Sequence, residues 1–479
     1  NESNNLTYSV VSSNPGLVNA SVISGSQSLR MSIQQVHSDS TVENFGDMVF
    51  YLFQDVVPRP TNRLAQLASS GFYDGVIFHR VIDNFVIQGG DPTGTGSGGS
   101  PLGNFDDQFN VDLQHNRTGL LSFAKSTDDT NNSQFFVTEN AQRHLDSNHS
   151  VSGVLTDGEN VRERISGVAV NSSNRPVENI VISHASVFVD NENGVIKLKA
   201  AEGASGQANI TVTVTDSTGK SFQRTFQVNV TPDTLNMGPF LNDIAPVSTT
   251  VGQAVTFQLT SQDAENNPVS YSASSTNSSA VVSVSPTGLV SVTPPAGFIG
   301  TLPVTVAVGS APGVPNDTGD PLDKQLVNVS VAPNPTNTPD LAAVSDSGSS
   351  NTDNRTNIKN GLQFLIGGVA NGATVEVRRG DTVLGTAVAG SSGSVTVTTN
   401  VALPDGSHAI TAVQTVSGIT SSVSSGLTII IDSLAPLFNS VGPTQATVGE
   451  LLTYDANTNE TTSFGLTNAP ANVTIVAGT

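Results

Sequence analysis

Apolar and polar residues alternate along most of this chain, and that period of two is its strongest constraint on fold. Runs such as Ile210-Thr-Val-Thr-Val and Val304-Thr-Val-Ala-Val place every second side chain on one face, the pattern of a half-buried strand. Between the runs stand Gly, Asn and Pro, which supply turns. With 44 Gly and 24 Pro in 479 residues, long helices have little room. The length exceeds one ordinary domain, so the alternation predicts several sandwiches of short strands.

The alternating texture also repeats. Pro286 to Val308 lies without gaps on Glu192 to Val214, and Gly288, Gly297 and Gly300 fall on Gly194, Gly203 and Gly206. Glu265 to Ser272 lies on Glu2 to Ser9, and Thr250 to Phe257 recurs as Thr447 to Tyr454. A repeat of roughly 90 residues is the size of one β-sandwich module. These modules resemble cadherin-like and bacterial immunoglobulin-like modules of surface proteins. Residues 340–432 resemble a second bacterial immunoglobulin-like type, through Asp346-Ser-Gly-Ser-Ser-Asn-Thr-Asp353, Leu403-Pro-Asp-Gly-Ser-His and Ile431-Asp432-Ser-Leu-Ala-Pro.

Charge and composition exclude several classes. Acidic residues outnumber basic ones 40 to 19, a formal charge of −21, which repels nucleic acid and anionic lipid. The same surface suits calcium, a cation that prefers oxygen ligands. Asp243, Asp263 and Glu265 in one module, and Asp346, Asp353 and Asp432 in another, stand near expected module ends and are the candidates to hold structural calcium. There is no cysteine, so disulfides and thiolate chemistry are absent. No run of about 18 apolar residues predicts a membrane-spanning helix. The chain opens on Asn1 and stops at Thr479 in mid-pattern, and so reads as a piece of a longer protein.

Residues 31–189 break the texture. They hold six of the seven histidines and two helix-like stretches, the first over Pro58–Ala68. Three motifs stand out: Phe78-His-Arg-Val-Ile-Asp-Asn-Phe-Val-Ile-Gln-Gly-Gly-Asp91; Gly119-Leu-Leu-Ser-Phe-Ala-Lys125 followed by Asn132-Ser-Gln-Phe-Phe-Val-Thr138; and His144-Leu-Asp-Ser-Asn-His149. Phe78, Val81, Phe85, Phe135 and Phe136 supply apolar mass, with the polar Arg80, Gln88 and Gln134 close to it in sequence.

In order and spacing, the three motifs together resemble cyclophilin-type peptidyl-prolyl cis-trans isomerases. The resemblance covers about a third of the chain. It implies a closed β-barrel with two helices, so the whole chain is expected to be mainly β and multidomain. It implies catalysis by Arg80, Gln88 and Phe136, and a substrate groove bordered by Phe85, Val86, Phe123, Ala124, Lys125, Gln134, His144, Leu145 and His149. Rotation about an X–Pro bond faces a barrier of about 18–20 kcal/mol, because amide resonance is lost. No covalent bond breaks, so no cofactor is expected for catalysis. In the twisted amide the proline nitrogen gains a lone pair that a guanidinium can bind. Proline-containing peptides or proteins are the implied partners.

Other readings of these residues carry less. His79 is expected to be a structural, hydrogen-bonded histidine. His115, His144 and His149 are a weak zinc set, because they occupy motif positions. Gly94-Thr-Gly-Ser-Gly-Gly99 lacks the Lys-Ser/Thr of a phosphate loop and is expected to be a mobile surface loop. Three departures from the usual cyclophilin pattern stand out: His144 replaces a common Trp, Lys125 a common Asn, and Ser152 a common Phe. The first bears on cyclosporin affinity more than on catalysis.

The expected organisation is a β-sandwich split between 1–30 and 190–232, the cyclophilin-like domain at 31–189 inserted within it, a module at 236–332, another at 340–432, and the start of a further one at 436–479. The leading expectation is an isomerase carried on an extracellular or envelope array of β-modules in a bacterium. A proline-peptide binding module and a structural adhesin are the alternatives.

Overall fold

The computed structural model describes residues 6–314, 322–348, 350–459, 464–465, 467–468 and 473–475, and leaves the side chains of residues 24, 26 and 191–193 undescribed. The first residues of the split module, and much of the segment after 459, lie outside the described residues. The chain divides into two compact units, one built mainly from residues up to 329 and one mainly from residue 330 onward.

The first unit is organised around one long ribbon. Strand β2 (Val18–Val36) pairs antiparallel with β9 (Asn179–Ala200). Register runs from Val18 opposite Ala200 to Val36 opposite Asn179, shifting between Ser24 and Ser26 and between Ser32 and Ile33. One end of the ribbon serves a small sandwich. There β1 (Thr7–Ser12) pairs with β10 (Gly206–Thr215), which pairs with β11 (Ser221–Val230). Leu17, Val18, Ala208 and Ile210 form that core. The other end, with Leu29, Met31 and Ile33, is a wall of a barrel. Residues 7–12 and 206–230 thus share one sheet, with the whole barrel between them in sequence.

The barrel sheet runs β4 (Arg80–Ile82), β5 (Val86–Gly89), β7 (Phe135–Thr138), β6 (Leu120–Phe123), β8 (Val151–Asp157), β3 (Val42–Leu52), β2, β9. Residues 75–79 close it. Phe78 N–H donates to the Ile180 carbonyl at 2.9 Å, and His79 N–H to that of Gln88 at 3.1 Å. Helices α1 (Pro58–Ser69) and α2 (Glu159–Ser166) bury Leu64, Leu67, Val161 and Ile165 against the barrel. Proline in the first turn of α1 costs no hydrogen bond, because those N–H groups have no helical partner.

The next module has a three-stranded face, Val255–Gln258 with Leu289–Thr293 and Val281–Val284, and a four-stranded one, Val269–Ser275 with Gly300–Ser310, Leu322–Ala332 and Ser248–Thr250. Val290, Val292, Val304, Val306 and Val308 are fully buried, as alternation predicts. In the second unit, residues 340–431 form a sandwich around Leu362, Phe364, Ile366, Val375, Val377 and Ile410. Beyond it the described residues carry one isolated bridge, Phe438 to Thr458, and Val441, Val448 and Leu451 stand exposed.

Candidate functional site

A cluster separate from the barrel core lies on its outer face. Val86, Phe136 and Leu145 are buried there, with Phe85 and Ala124 packed against them. The pleat makes this possible. In β5 and β7 alternate side chains face opposite ways, so Ile87, Phe135 and Val137 enter the core while Val86 and Phe136 form the floor of a shallow apolar pocket.

Polar groups flank that floor in a chain of hydrogen bonds. Arg80 lies opposite Gln88 across the β4–β5 pair, and Gln88 opposite Phe136. Arg80 Nη1 donates to Gln88 Oε1 at 3.1 Å, and Gln88 Nε2 donates to Gln134 Oε1 at 3.1 Å. Gln134 Nε2 in turn reaches the carbonyls of Gly96 (3.0 Å) and Gly98 (2.9 Å). The Arg80 guanidinium carbon lies 5.6 Å from the Phe85 ring centroid, so its position is fixed from two sides at the pocket edge.

The Gly94–Gly99 segment is therefore anchored, contrary to the expected mobile loop. Asp91 sits at its centre and accepts from the N–H groups of Thr93 (2.7 Å), Gly96 (2.6 Å) and Gly98 (3.1 Å). Burial opposes its charge, yet these donors hold the carboxyl well below the usual range. His79 also departs from expectation. It is buried, but its Nδ1 has no hydrogen-bond partner among the described residues, and burial lowers its pKa and favours the neutral ring.

His149 lies edge-on to Phe136 at 5.3 Å and its Nδ1 is 2.9 Å from the Phe123 carbonyl. A carbonyl only accepts, so Nδ1 carries the hydrogen. Burial pulls this histidine down to about 4, outweighing the bond to Phe123, and at neutral pH it offers the groove an uncharged ring. His144 is exposed and stacks on Phe85 at 5.7 Å with the planes 18° apart.

One expected groove residue, Phe123, is placed differently, and Lys125, expected to offer only its backbone there, keeps its side chain out of the groove. The Phe123 side chain is fully buried in the barrel core, edge-on to Phe105 at 4.9 Å, because its strand position faces inward; only its carbonyl reaches the site, through His149. The Lys125 side chain is 4% exposed and turns away from the groove onto Asp107 and Asp128, leaving its backbone at the rim.

Sequence reasoning missed the support behind the floor. His115 stacks on Phe136 at 5.8 Å, with Nδ1 3.1 Å from Asp146 and Nε2 2.9 Å from Ser122 Oγ. Arg143 holds Asp146 at 2.5 Å and Asp233 at 2.8 Å. Burial lowers the His115 pKa despite Asp146. Only the polar Ser122 inside the apolar Leu120–Phe123 run hinted at this arrangement.

The six candidate calcium ligands lie in the two modules named for them. Asp243 pairs with Arg59 at 2.7 Å. Asp263 accepts from Glu265 N–H at 3.1 Å, with its Oδ2 buried and unpartnered. Asp346 is buried, whereas Asp353 and Asp432 are exposed. None of the six belongs to the single grouping of three carboxylates found among the described residues, Asp107, Asp128 and Asp129. The cation at that grouping is Lys125.

Comparison with known proteins agrees with this geometry. Residues 37–187 match the family described as cyclophilin type peptidyl-prolyl cis-trans isomerase/CLD, and residues 332–433 match the bacterial Ig-like domain. The chain is 42% identical over 144 residues to peptidyl-prolyl cis-trans isomerase ppi1 of Schizosaccharomyces pombe, covering 30% of this chain and 93% of that protein. It is 40% identical over 151 residues to peptidyl-prolyl cis-trans isomerase-like 1 of Aspergillus oryzae, covering 31% of this chain and 94% of that one. Against peptidyl-prolyl cis-trans isomerase-like 2 of Rhizopus delemar it is 41% identical over 151 residues, 31% of this chain, and spans only 28% of the relative's length. A crystal structure of a Cryptosporidium parvum cyclophilin type peptidyl-prolyl cis-trans isomerase is similar at 34% identity and a TM-score of 0.32, covering 34% of this chain and 99% of that one.

Proposed function

The chain belongs to the cyclophilin-type peptidyl-prolyl cis-trans isomerase family, and from that premise we propose that it isomerises X–Pro bonds of polypeptides in the pocket over Phe136. The observation that carries this reading is the Arg80–Gln88–Gln134 hydrogen-bond chain beside the Val86–Phe136–Leu145 floor. A proline ring seated on the floor places its nitrogen near the Arg80 guanidinium. As the amide twists, that nitrogen becomes pyramidal and accepts a hydrogen bond from Arg80. The bond is absent from the planar ground state, so it favours the transition state selectively. Lowering the barrier by about 7 kcal/mol corresponds to roughly five powers of ten in rate. No proton transfer is needed, consistent with the neutral His149. The test is exchange of a short X–Pro peptide measured on the chain and on Arg80→Ala.

The biological setting in our reading is an array of β-modules displaying the isomerase outside a bacterial cell. The bacterial Ig-like match at 332–433 and the repeated alternation of 192–214 and 286–308 support it. Labelling of the chain on intact cells by a reagent that does not cross membranes tests the setting, and a chain labelled only after lysis excludes it.

The aromatic wall at Phe85 gives a further expectation. His144 stacks there with a small ring. His144→Trp adds apolar area and an indole N–H donor at the same edge, so cyclosporin should bind about tenfold tighter, ~1.4 kcal/mol. Titration of both proteins checks this, and equal affinities remove the assigned role of the wall.

A further inference from the structure

Lys125 is tied into more than the barrel. It follows Ala124, which packs against the Val86–Phe136–Leu145 floor and whose N–H donates to the Gln134 carbonyl at 2.9 Å. Its ammonium is buried between Asp107 and Asp128, and lies 5.8 Å from the Phe109 ring centroid. Burial works against the charge, but the two carboxylates more than offset it and the Lys125 pKa stays above its ordinary value.

The far side of this ion cluster belongs to the module that follows. Asp128 Oδ2 accepts the backbone N–H of Lys324 at 3.2 Å. Phe109 meets Phe240 of the module at 5.6 Å, and Arg59 reaches Asp243. Asp323 is buried, with its Oδ2 on the Leu241 N–H at 2.7 Å, and faces Asp128, Asp107 and Asp129. Asp107 is held in place by Asn131 Nδ2 at 2.8 Å and by Ser150 Oγ at 3.3 Å.

We propose that Lys125 is a positioning residue for the isomerisation, fixing the Ala124–Lys125 edge of the groove through an ion cluster that the downstream β-module completes. The proposal rests on the isomerase reading above and adds that the module is part of the substrate-binding apparatus. Without the ammonium, Asp107 and Asp128 lose their counter-ion beside Asp129 and Asp323, which disfavours the contact between rim and module. The rim borders the peptide in the planar and twisted states alike, so its displacement weakens binding without altering the chemical step.

Titration of Asp323 supplies a readout that a purely structural lysine would not move. Burial raises Asp323 from 3.8 to about 8 and Asp129 from 3.8 to about 7, with the neighbouring Asp residues adding to both. Asp323 is the group raised from across the junction, by Asp128, Asp107 and Asp129, so the docked state holds a proton on it that the undocked state releases. Docking therefore weakens as pH rises from about 4, and the loss is complete above about pH 8. Across the junction the charged groups are Asp107, Asp128, Asp129 and Lys125; on the module side Lys324 follows Asp323, and Asp243 is taken by Arg59.

The experiment uses the intact chain and a proline peptide with several residues before the proline, with KM and kcat from exchange rates and Kd from titration. Lys125→Met is expected to raise KM and Kd about tenfold with kcat within about twofold, and Lys125→Arg to restore both. Asp128→Ala, at a partly exposed position, should give the same split if Lys125→Met fails to fold. Wild-type KM should rise between about pH 4 and about pH 8, and Asp323→Asn should flatten that rise. Unchanged KM and Kd in Lys125→Met or Asp128→Ala, or a loss in kcat alone, overturns the proposal. A wild type no faster than Arg80→Ala overturns the isomerase reading instead, and Kd then still decides the role of Lys125.

Discussion

Replacing Arg80 by alanine should lower kcat/KM for an X–Pro peptide about a hundred- to a thousandfold, the usual loss when one donor that acts on the transition state is removed. The loss should fall mainly on kcat, because the guanidinium binds a lone pair that only the twisted amide offers. The fold should survive. Arg80 is partly exposed and its one side-chain hydrogen bond runs to Gln88, so its removal costs about 1 kcal/mol. Exchange spectroscopy on the variant and the parent measures the ratio, and melting curves confirm that both are folded. A ratio below about threefold would sink the assignment and leave a proline-binding pocket without catalysis.

Gly90→Ala should destabilise the barrel severely. A Cβ at Gly90 would stand 2.3 Å from the Ser133 carbonyl oxygen and 2.9 Å from the Gln134 Cα, and φ is +88°. Both obstacles are backbone, so no side chain can swing aside. Left-handed strain of about 1–2 kcal/mol adds to the displacement of two strands, for a total of about 4 kcal/mol. For a domain of this size that lowers Tm by roughly 8–16 °C. Gly103→Ala is the control, with φ +75° and nothing within 4 Å of the new Cβ; strain alone should cost it about 1 kcal/mol. If the two variants melt together, the close approach at Gly90 is not what requires glycine. Where Gly90→Ala folds, its activity should also fall, since the segment it displaces includes Gln134.

The site shows why motifs are legible and their supports are not. Arg80, Gln88 and Phe136 lie within two short motifs whose alternation already puts Val86 and Phe136 on one face and Ile87 and Phe135 on the other. Phe123 sits in an equally apolar run, and nothing local tells which face of a four-residue strand turns inward. Its exposure is decided by Phe105, which arrives from a loop. His115 and Asp146 are 31 residues apart in sequence, so their pairing behind the floor appears only once the barrel has closed. Lys125 reads locally as a solvated charge, yet Asp107 and Asp128 close on it from two segments, with Asp129 and Asp323 beside them.

By itself, the sequence determined the β character of the chain, the module period and the family of the inserted domain. Periodicity and motif spacing are properties of neighbouring residues, and backbone geometry converts them directly into strands and faces. Tertiary structure alone decided that one ribbon, β2 with β9, carries both the barrel wall and the sandwich, and that Asp323 comes to stand beside Asp128. The former depends on register, which is set by packing on both faces. The latter depends on the burial of charge, whose sign and cost are set by the groups that the fold brings within reach.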